Sequence, residues 1–385
     1  RPFEPEELPE VYDRLMNDPQ FLKIVAFLYP GVPPEAISAK MHAQKTNLDF
    51  QKAFCYEFLK DLLSKASTGC DMDVESIDIN GRYTFVSNHR DIVLDSALLD
   101  KLLFDLGFTT TCEIAIGDNL LAAPWIKDLV RINKSFIVER SPGIREMLAS
   151  SKRLSNYMHY VIGRKKDNIW IAQREGRAKD SNDRTQASLL KMMAMGGEGT
   201  VVERLMQLHI VPLAISYEYD PCDFLKAEEM QLVRDVEGWK KSKADDIRSM
   251  KTGILGYKGR IHYHCAPCID EMLRNLDPAT PKTELFDLIA AHIDSQIHRH
   301  YAIYPNNIVA LDMLQGTPRD RSKATPEQWD RFEQYLEQQL AKITIEGRDE
   351  AFLRERMLAR EASGGVGGGG WLWGGVGGGR GLYVV

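Results

Sequence analysis

The stretch Tyr83-Thr84-Phe85-Val86-Ser87-Asn88-His89-Arg90-Asp91-Ile92-Val93-Leu94-Asp95 decides how this chain is read. Tyr83–Ser87 is a short run of apolar and β-prone residues, the pattern of a buried strand. Ile92–Phe104 then shows helical spacing, so a strand turns into a helix through a polar corner. The same texture recurs downstream. Glu113–Gly117, Phe136–Val138, Asn168–Ala172, His209–Tyr217 and Gly259–Cys265 read as strands; Ile144–Gly163, Arg184–Met195 and Glu284–Tyr301 read as helices. Short apolar strands separated by helices predict an α/β fold, with a mixed, largely parallel sheet covered by helices.

Outward from that core, residues 1–70 read as an N-terminal helical segment. Val11–Leu28 stops at Pro30-Gly31, and Asn47–Lys65 is amphipathic, with Phe50, Phe54, Phe58 and Leu62 on one packing face. Residues 71–305 form the α/β domain and 306–362 a C-terminal helical segment. There Thr325 caps a long helix, Pro326 occupies its first turn and Gln328 completes a capping box, with a break allowed at Gly347. Residues 363–385 hold 12 of the chain's 29 Gly and read as a disordered tail.

Composition narrows the function. With 385 residues, 44% hydrophobic and 27% charged, the chain is globular rather than disordered. No apolar run reaches the roughly 18 residues of a membrane span. Six Cys are too few for a disulfide scaffold, and no signal-peptide pattern follows Arg1, so a cytoplasmic location is expected. The net charge of −6 conceals an excess of 14 Lys and Arg over 7 Asp and Glu between Trp125 and Gln186. That basic middle suits an anionic ligand such as phosphate, or an anionic membrane surface touched peripherally from the inner face; Met192-Met193-Ala194-Met195 is a candidate for headgroup contact. No nucleic-acid partner is expected.

Within the opening stretch, His89 leaves a buried strand and a carboxylate follows on the next helix. Such a carboxylate can hold one imidazole nitrogen and leave the other to take a proton. Asp95 is favoured for that role, with Asp91 the other acid in reach. His89-Arg90-Asp91 also spells the start of a kinase catalytic loop, but position 96 is Ser rather than Asn and no Asp-Phe-Gly follows. A Gly-x-Ser-x-Gly nucleophile elbow is absent. A second signal is the polar loop Arg174-Glu175-Gly176-Arg177-Ala178-Lys179, where Gly lets backbone approach a ligand and the cations can fork onto phosphate. The third is Phe136–Arg140, a strand delivering Arg140; the fourth is the apolar strand Val211-Pro212-Leu213-Ala214-Ile215-Ser216-Tyr217. His262, His264, Cys265 and Cys268 have zinc-like types, but no second Cys pair accompanies them.

In this order, the four blocks resemble the glycerolipid acyltransferase superfamily, over roughly Ile77 to Ile269. Asn88-His89 with Asp95 matches the first motif, Phe136–Arg140 the second, Glu175-Gly176-Arg177 with Lys179 the third, and Val211–Tyr217 the fourth. His-Arg in the first block and Val-Pro with Ile-Ser-Tyr in the last are similar to the glycerol-3-phosphate branch. Five residues rather than four separate His89 from Asp95, and Glu175-Gly176 runs straight into Arg177. Asn133 or Lys134 stands where the second block has Gly.

The resemblance implies transfer of a fatty acyl group from acyl-CoA or acyl carrier protein to a hydroxyl of glycerol 3-phosphate or 1-acylglycerol 3-phosphate, in phospholipid biosynthesis. His89 is then the base and Asp95 its orienter. Arg140, Glu175, Gly176, Arg177 and Lys179 bind the substrate phosphate, with Lys134 and Arg184 as lesser candidates. No metal and no cofactor beyond the acyl donor are implied. Beside this glycerol phosphate or lysophospholipid acceptor, two other readings stay open: a non-catalytic lipid or acyl-carrier binding protein on the same fold, and an acyltransferase for another acceptor, such as an amino-acid lipid or another amphipathic alcohol.

Overall fold

The computed structural model describes residues 1–121, 123–139, 144–177, 184–317 and 324–362. Its centre is a sheet of β1 (Gly69–Asp73), β2 (Thr84–Ser87), β3 (Cys112–Gly117), β4 (Ser135–Val138), β5 (Asn168–Ala172), β6 (Ile210–Tyr217) and β7 (Arg260–Cys265), in the order β1-β7-β6-β2-β5-β3-β4. β6, β2, β5, β3 and β4 run parallel; β7 is antiparallel to β6, and β1 pairs parallel with β7. The fold is α/β, as the strand–helix alternation requires. The register Ser87 opposite Ala172 and Leu213 brings the exits of β2, β5 and β6 to one edge. In parallel sheets that carboxyl edge is where ligand crevices form.

Alternation along the strands splits the core. Val86, Ile169, Ile171 and Ile210 face one layer, with Met158, Leu190, Met193 and Ile289 from its helices. Phe85, Trp170, Val211, Leu213 and Ile215 face the other, with Leu59, Leu98, Leu99 and Leu102. A third cluster joins Phe224 to Trp329, Phe332, Leu336, Leu353 and Met357 of the C-terminal helices. The fourth, N-terminal cluster includes Leu8, Tyr12, Phe21, Phe50 and Phe54.

Several details differ from the sequence reading. The expected helix Val11–Leu28 is two helices, Leu8–Met16 and Pro19–Leu28. Asp18 caps the second, accepting from Gln20 and Phe21, and Pro19 cannot continue the first. The C-terminal run is Pro326–Leu340, capped by Thr325 with its box to Gln328, then Glu350–Ala362. Gly347, at φ 64°, lies in the turn between them. The Met192–Met195 run belongs to the core rather than to a membrane-facing surface: Met193 is fully buried and Met192 packs against it. The Gly-rich tail, residues 363–385, lies outside the described residues.

Candidate active site

The corner after β2 is held by its own polar groups. The Asn88 side chain donates to the carbonyl of Ile215 at 2.9 Å and accepts from its N–H at 2.8 Å, bolting the strand exit to β6. Asp91 then accepts from the N–H groups of Val93 at 2.9 Å and Leu94 at 2.8 Å, and the helix Leu94–Asp105 begins. Asp91 therefore works as a helix-capping acid. Burial, and next the neighbouring Asp95 charge, push its carboxyl up from the usual carboxylate range.

Asp95 enters on the first turn of that helix and is fully buried. Its Oδ2 lies 2.8 Å from His89 Nδ1 and also accepts from the backbone N–H groups of Arg90 at 2.6 Å and Asp91 at 3.1 Å. The Tyr217 hydroxyl donates to Oδ1 at 3.2 Å, and the Tyr263 hydroxyl to the Asp95 carbonyl at 3.0 Å. Burial pushes both phenols well above their ordinary range, so they stay hydroxyl donors. Of the two acids in reach of His89, Asp95 is thus the one that pairs with it. The turn Asp91–Val93 accommodates the extra residue of the first block.

The carboxylate on Nδ1 selects the tautomer with its proton there and leaves the Nε2 lone pair exposed to a substrate. Nε2 has no partner among the described residues. The ring is 13% exposed and packs edge-on against Trp170, centroids 5.7 Å apart. Trp170 is fixed in turn by its indole N–H donating to Ser87 Oγ at 3.0 Å.

The other sequence candidates fall into three groups. Glu175, Gly176 and Arg177 follow β5, on the same sheet edge as His89. Gly176 has φ 68°, a left-handed value that explains glycine there. Glu175 is exposed and its N–H donates to the Gln186 side chain at 2.9 Å. Arg177 is half-buried, and its Nη1 is buried without a partner among the described residues. Arg140 and Lys179 lie outside the described residues. Lys134 is a correction: it precedes β4, at the opposite edge of the sheet, where Nζ bonds Asp167 at 2.9 Å and the Thr111 carbonyl at 3.1 Å. Arg184 is exposed.

The zinc-like residues of β7 are separately engaged. His262 pairs with Asp71, His264 with Asp73 at 3.1 Å, and Cys265 is buried in the core. Cys268 instead joins His209 and Asp270, their ligand-type atoms all within 4.8 Å of one another. That group adjoins the start of β6, away from His89, and His209 already bonds Asp270 at 2.7 Å. Burial holds the Cys268 thiol up at about 12, so it is neutral near pH 7.

Sequence reading gave no role to Asn88, Tyr217 or Tyr263. The phase of β6 was the available signal: Tyr217 alternates onto the face of Leu213 and Ile215, beneath the helix that carries Asp95. Tyr263 carried no comparable mark.

A search of curated protein sequences gives no match. Among solved structures, the 1-acyl-sn-glycerophosphate (LPA) acyltransferase PlsC from Thermotoga maritima is similar, with a TM-score of 0.38 and 12% identity over 75% of this chain and 93% of that one. The acyltransferase family model matches residues 71–216, which span the first strand through the Asn88–Asp95 corner to the fourth block. Over those residues the chain matches an acyltransferase domain, the activity class that the four blocks resemble.

Proposed function

We propose that this domain moves a fatty acyl group from a thioester, on CoA or acyl carrier protein, to a hydroxyl of glycerol 3-phosphate or 1-acylglycerol 3-phosphate. The supporting observation is the His89 ring, with Nδ1 bonded to a fully buried Asp95 and Nε2 open at the sheet edge. The acceptor hydroxyl gives its proton to Nε2 as its oxygen attacks the thioester carbonyl. The C–S bond then breaks, and the leaving thiolate recovers the proton from Nε2. Asp95 offsets the charge on the ring while it holds that proton. Direct transfer needs no covalent intermediate, consistent with a sequence lacking a nucleophile elbow. Arg177, with Arg140 and Lys179, grips the phosphate so that the hydroxyl is held near His89.

A surface role for the basic middle is part of the same reading. No helix among the described residues is long and apolar enough to cross a membrane. On the helix Ile144–Tyr160, Met147 and Leu148 are 52% and 67% exposed, one turn from Lys152 and Arg153, a pairing suited to an anionic bilayer surface.

His89→Ala tests the reaction. Transfer from palmitoyl-CoA or palmitoyl carrier protein to glycerol 3-phosphate and to its 1-acyl form should fall by at least about 10³-fold, with unfolding unchanged. Undiminished transfer in a folded His89→Ala protein rules out the base assignment, and wild-type protein inactive on both acceptors rules out the substrate class.

A further inference from the structure

His89 stands where β2 ends. At the other end of the same strands, where β2, β5 and β6 begin, three side chains with metal-ligand donors converge, and acyl transfer uses none of them. They come from two segments that the sheet brings side by side. The chain leaving β7 runs back along β6: the N–H of Ala266 donates to the Pro212 carbonyl at 3.0 Å and that of Ile269 to the Ile210 carbonyl at 2.9 Å. Cys268 and Asp270 are thereby carried to His209, the residue just before β6. His209 Nδ1 lies 2.7 Å from Asp270 Oδ2, and the donor atoms of His209, Cys268 and Asp270 all lie within 4.8 Å of one another.

Two further observations point to a ligand here. Asp270 is 13% exposed, yet its Oδ1 is buried and accepts no well-formed hydrogen bond among the described residues. Leaving a buried carboxylate oxygen without a donor is costly, and a cation would remove that cost. His209 is held at φ 44°, a left-handed value that a side-chain-bearing residue adopts at a cost and that recurs at ligand clamps.

The arrangement is not a second nucleophile relay. The Cys268 thiol lies beside the Asp270 carboxylate, and no hydrogen bond joins it to the imidazole among the described residues. A Cys–His–Asp relay needs the base against the thiol. Sulfur, imidazole nitrogen and carboxylate oxygen together are instead a donor set that zinc takes in tetrahedral geometry, and one that magnesium and calcium do not favour. Bonds of about 2.0–2.3 Å at tetrahedral angles set donors about 3.3–3.6 Å apart. The spacings in the fold, from 2.7 Å to no more than 4.8 Å, bracket that range and need shifts of about 1 Å to reach it. His209 is 49% exposed and lines a cleft of about 380 Å³ with Arg82, Lys166 and Gln207, which admits an ion from solvent.

We propose that His209, Cys268 and Asp270 bind a zinc ion, with water as the fourth ligand, and that this ion clips the segment after β7 to the start of β6. Of the zinc-like residues in the sequence, only Cys268 takes part. As the S–Zn bond forms, the thiol releases its proton to solvent. The site does not depend on the acyl-transfer reading. Its bearing on the His89 corner is mechanical: β6 carries Ile215, which Asn88 grips, and Tyr217, while β7 carries Tyr263, so the clip fastens together the strands that support Asp95.

The test uses the full chain, stripped with EDTA and given zinc or cobalt(II). Wild type should retain one zinc per chain through dialysis, read by plasma mass spectrometry. Its cobalt form should show tetrahedral bands in the visible and a thiolate charge-transfer band in the near ultraviolet. Cys268→Ser and His209→Ala should each weaken zinc binding more than about 100-fold, because even groups that only support a ligand cost about 10–100-fold. His262→Ala should bind as wild type does. If Cys268→Ser does not fold, judged by near-ultraviolet circular dichroism, the wild-type chain decides: zinc should block alkylation of Cys268 by iodoacetamide, read by peptide mass mapping. No zinc retained by wild type, equal retention by Cys268→Ser, a cobalt spectrum without the thiolate band, or Cys268 alkylation indifferent to zinc would each overturn the site.

Discussion

Replacing Asp95 with Asn exchanges one oxygen for an amino group, and the surroundings dictate which. Oδ2 faces three donors: His89 Nδ1 at 2.8 Å and the N–H groups of Arg90 and Asp91 at 2.6 and 3.1 Å. Oδ1 faces the Tyr217 hydroxyl at 3.2 Å. An amino group at the Oδ2 position would oppose two backbone N–H groups that cannot turn away. At the Oδ1 position it meets a hydroxyl that can rotate and accept. Each stranded buried N–H costs about 1–3 kcal/mol, so the preferred orientation wins by about 2–6 kcal/mol. His89 then keeps its Nδ1 bond and its tautomer. What disappears is the negative charge beside the ring when it carries the transferred proton. A hydrogen bond to a charged group is worth about 1.5–3 kcal/mol and a neutral one about 0.5–1.5, a difference near 1–2 kcal/mol. The turnover number, read as thiol release from the acyl donor, should therefore fall only about 5- to 30-fold. Asp95→Ala strands both N–H groups and the Nδ1 proton, and should cost more than about 10³-fold in rate and about 3 kcal/mol in stability. A loss near 10⁴-fold in a fully folded Asp95→Asn protein would mean the amino group had turned to the ring and forced the wrong tautomer. That result would refute the claim that the two backbone N–H groups orient residue 95.

Three further outcomes follow from other contacts. Asn88→Ala removes both bonds to Ile215 and leaves a buried N–H and a buried carbonyl unpaired, so urea denaturation should register about 2–4 kcal/mol of lost stability; a loss under about 0.5 would show that the bolt is unimportant. Burial raises the Asp100 carboxyl to about 7, above its unfolded value, so its contribution to stability is complete below about pH 4 and is lost as pH rises from there through 7; relative to wild type, Asp100→Asn should gain about 2–3 kcal/mol between pH 5 and pH 8, and parallel urea curves would exclude this. Met147→Glu with Leu148→Glu should abolish flotation with phosphatidylglycerol vesicles, and unchanged flotation would remove this helix from any membrane contact.

Apolar strands inside an α/β layer announce themselves, because both faces are covered and the sequence must be apolar on both. β2, β5 and β6 were legible for that reason. β1 was not: Gly69-Cys70-Asp71-Met72-Asp73 is an edge strand with one buried side chain, and its acids serve the His262 and His264 side chains of β7 rather than a core. The pairing of His89 was legible in type but not in partner. Asp91 and Asp95 are both spaced to reach the ring, and only the positions of Val93 and Leu94 N–H assign Asp91 to the helix start. Lys134 misled because an isolated cation near a motif looks the same whether it meets a ligand or an internal acid, here Asp167.

The distribution of contacts around His89 bears on what the matched residues can do unaided. Tyr217 ends β6 one residue past the match, and Asn88 is bolted to that strand at Ile215, so this last support comes from within 71–216. Tyr263, which donates to the Asp95 carbonyl, does not. Tyr301, which packs on Arg90, and Lys226, which approaches its carbonyl, also lie beyond the match. Each acts on backbone or side chain within a few residues of the imidazole; Tyr263 and Lys226 are buried, and Tyr301 accepts a hydrogen bond from the buried Arg90. On the proposed reading the motif residues supply the reacting groups, whereas groups far along the chain restrict where those groups sit. A histidine general base depends on geometry at the level of single hydrogen bonds, so activity in this chain should follow the integrity of β7 and the C-terminal helices as closely as that of the four blocks.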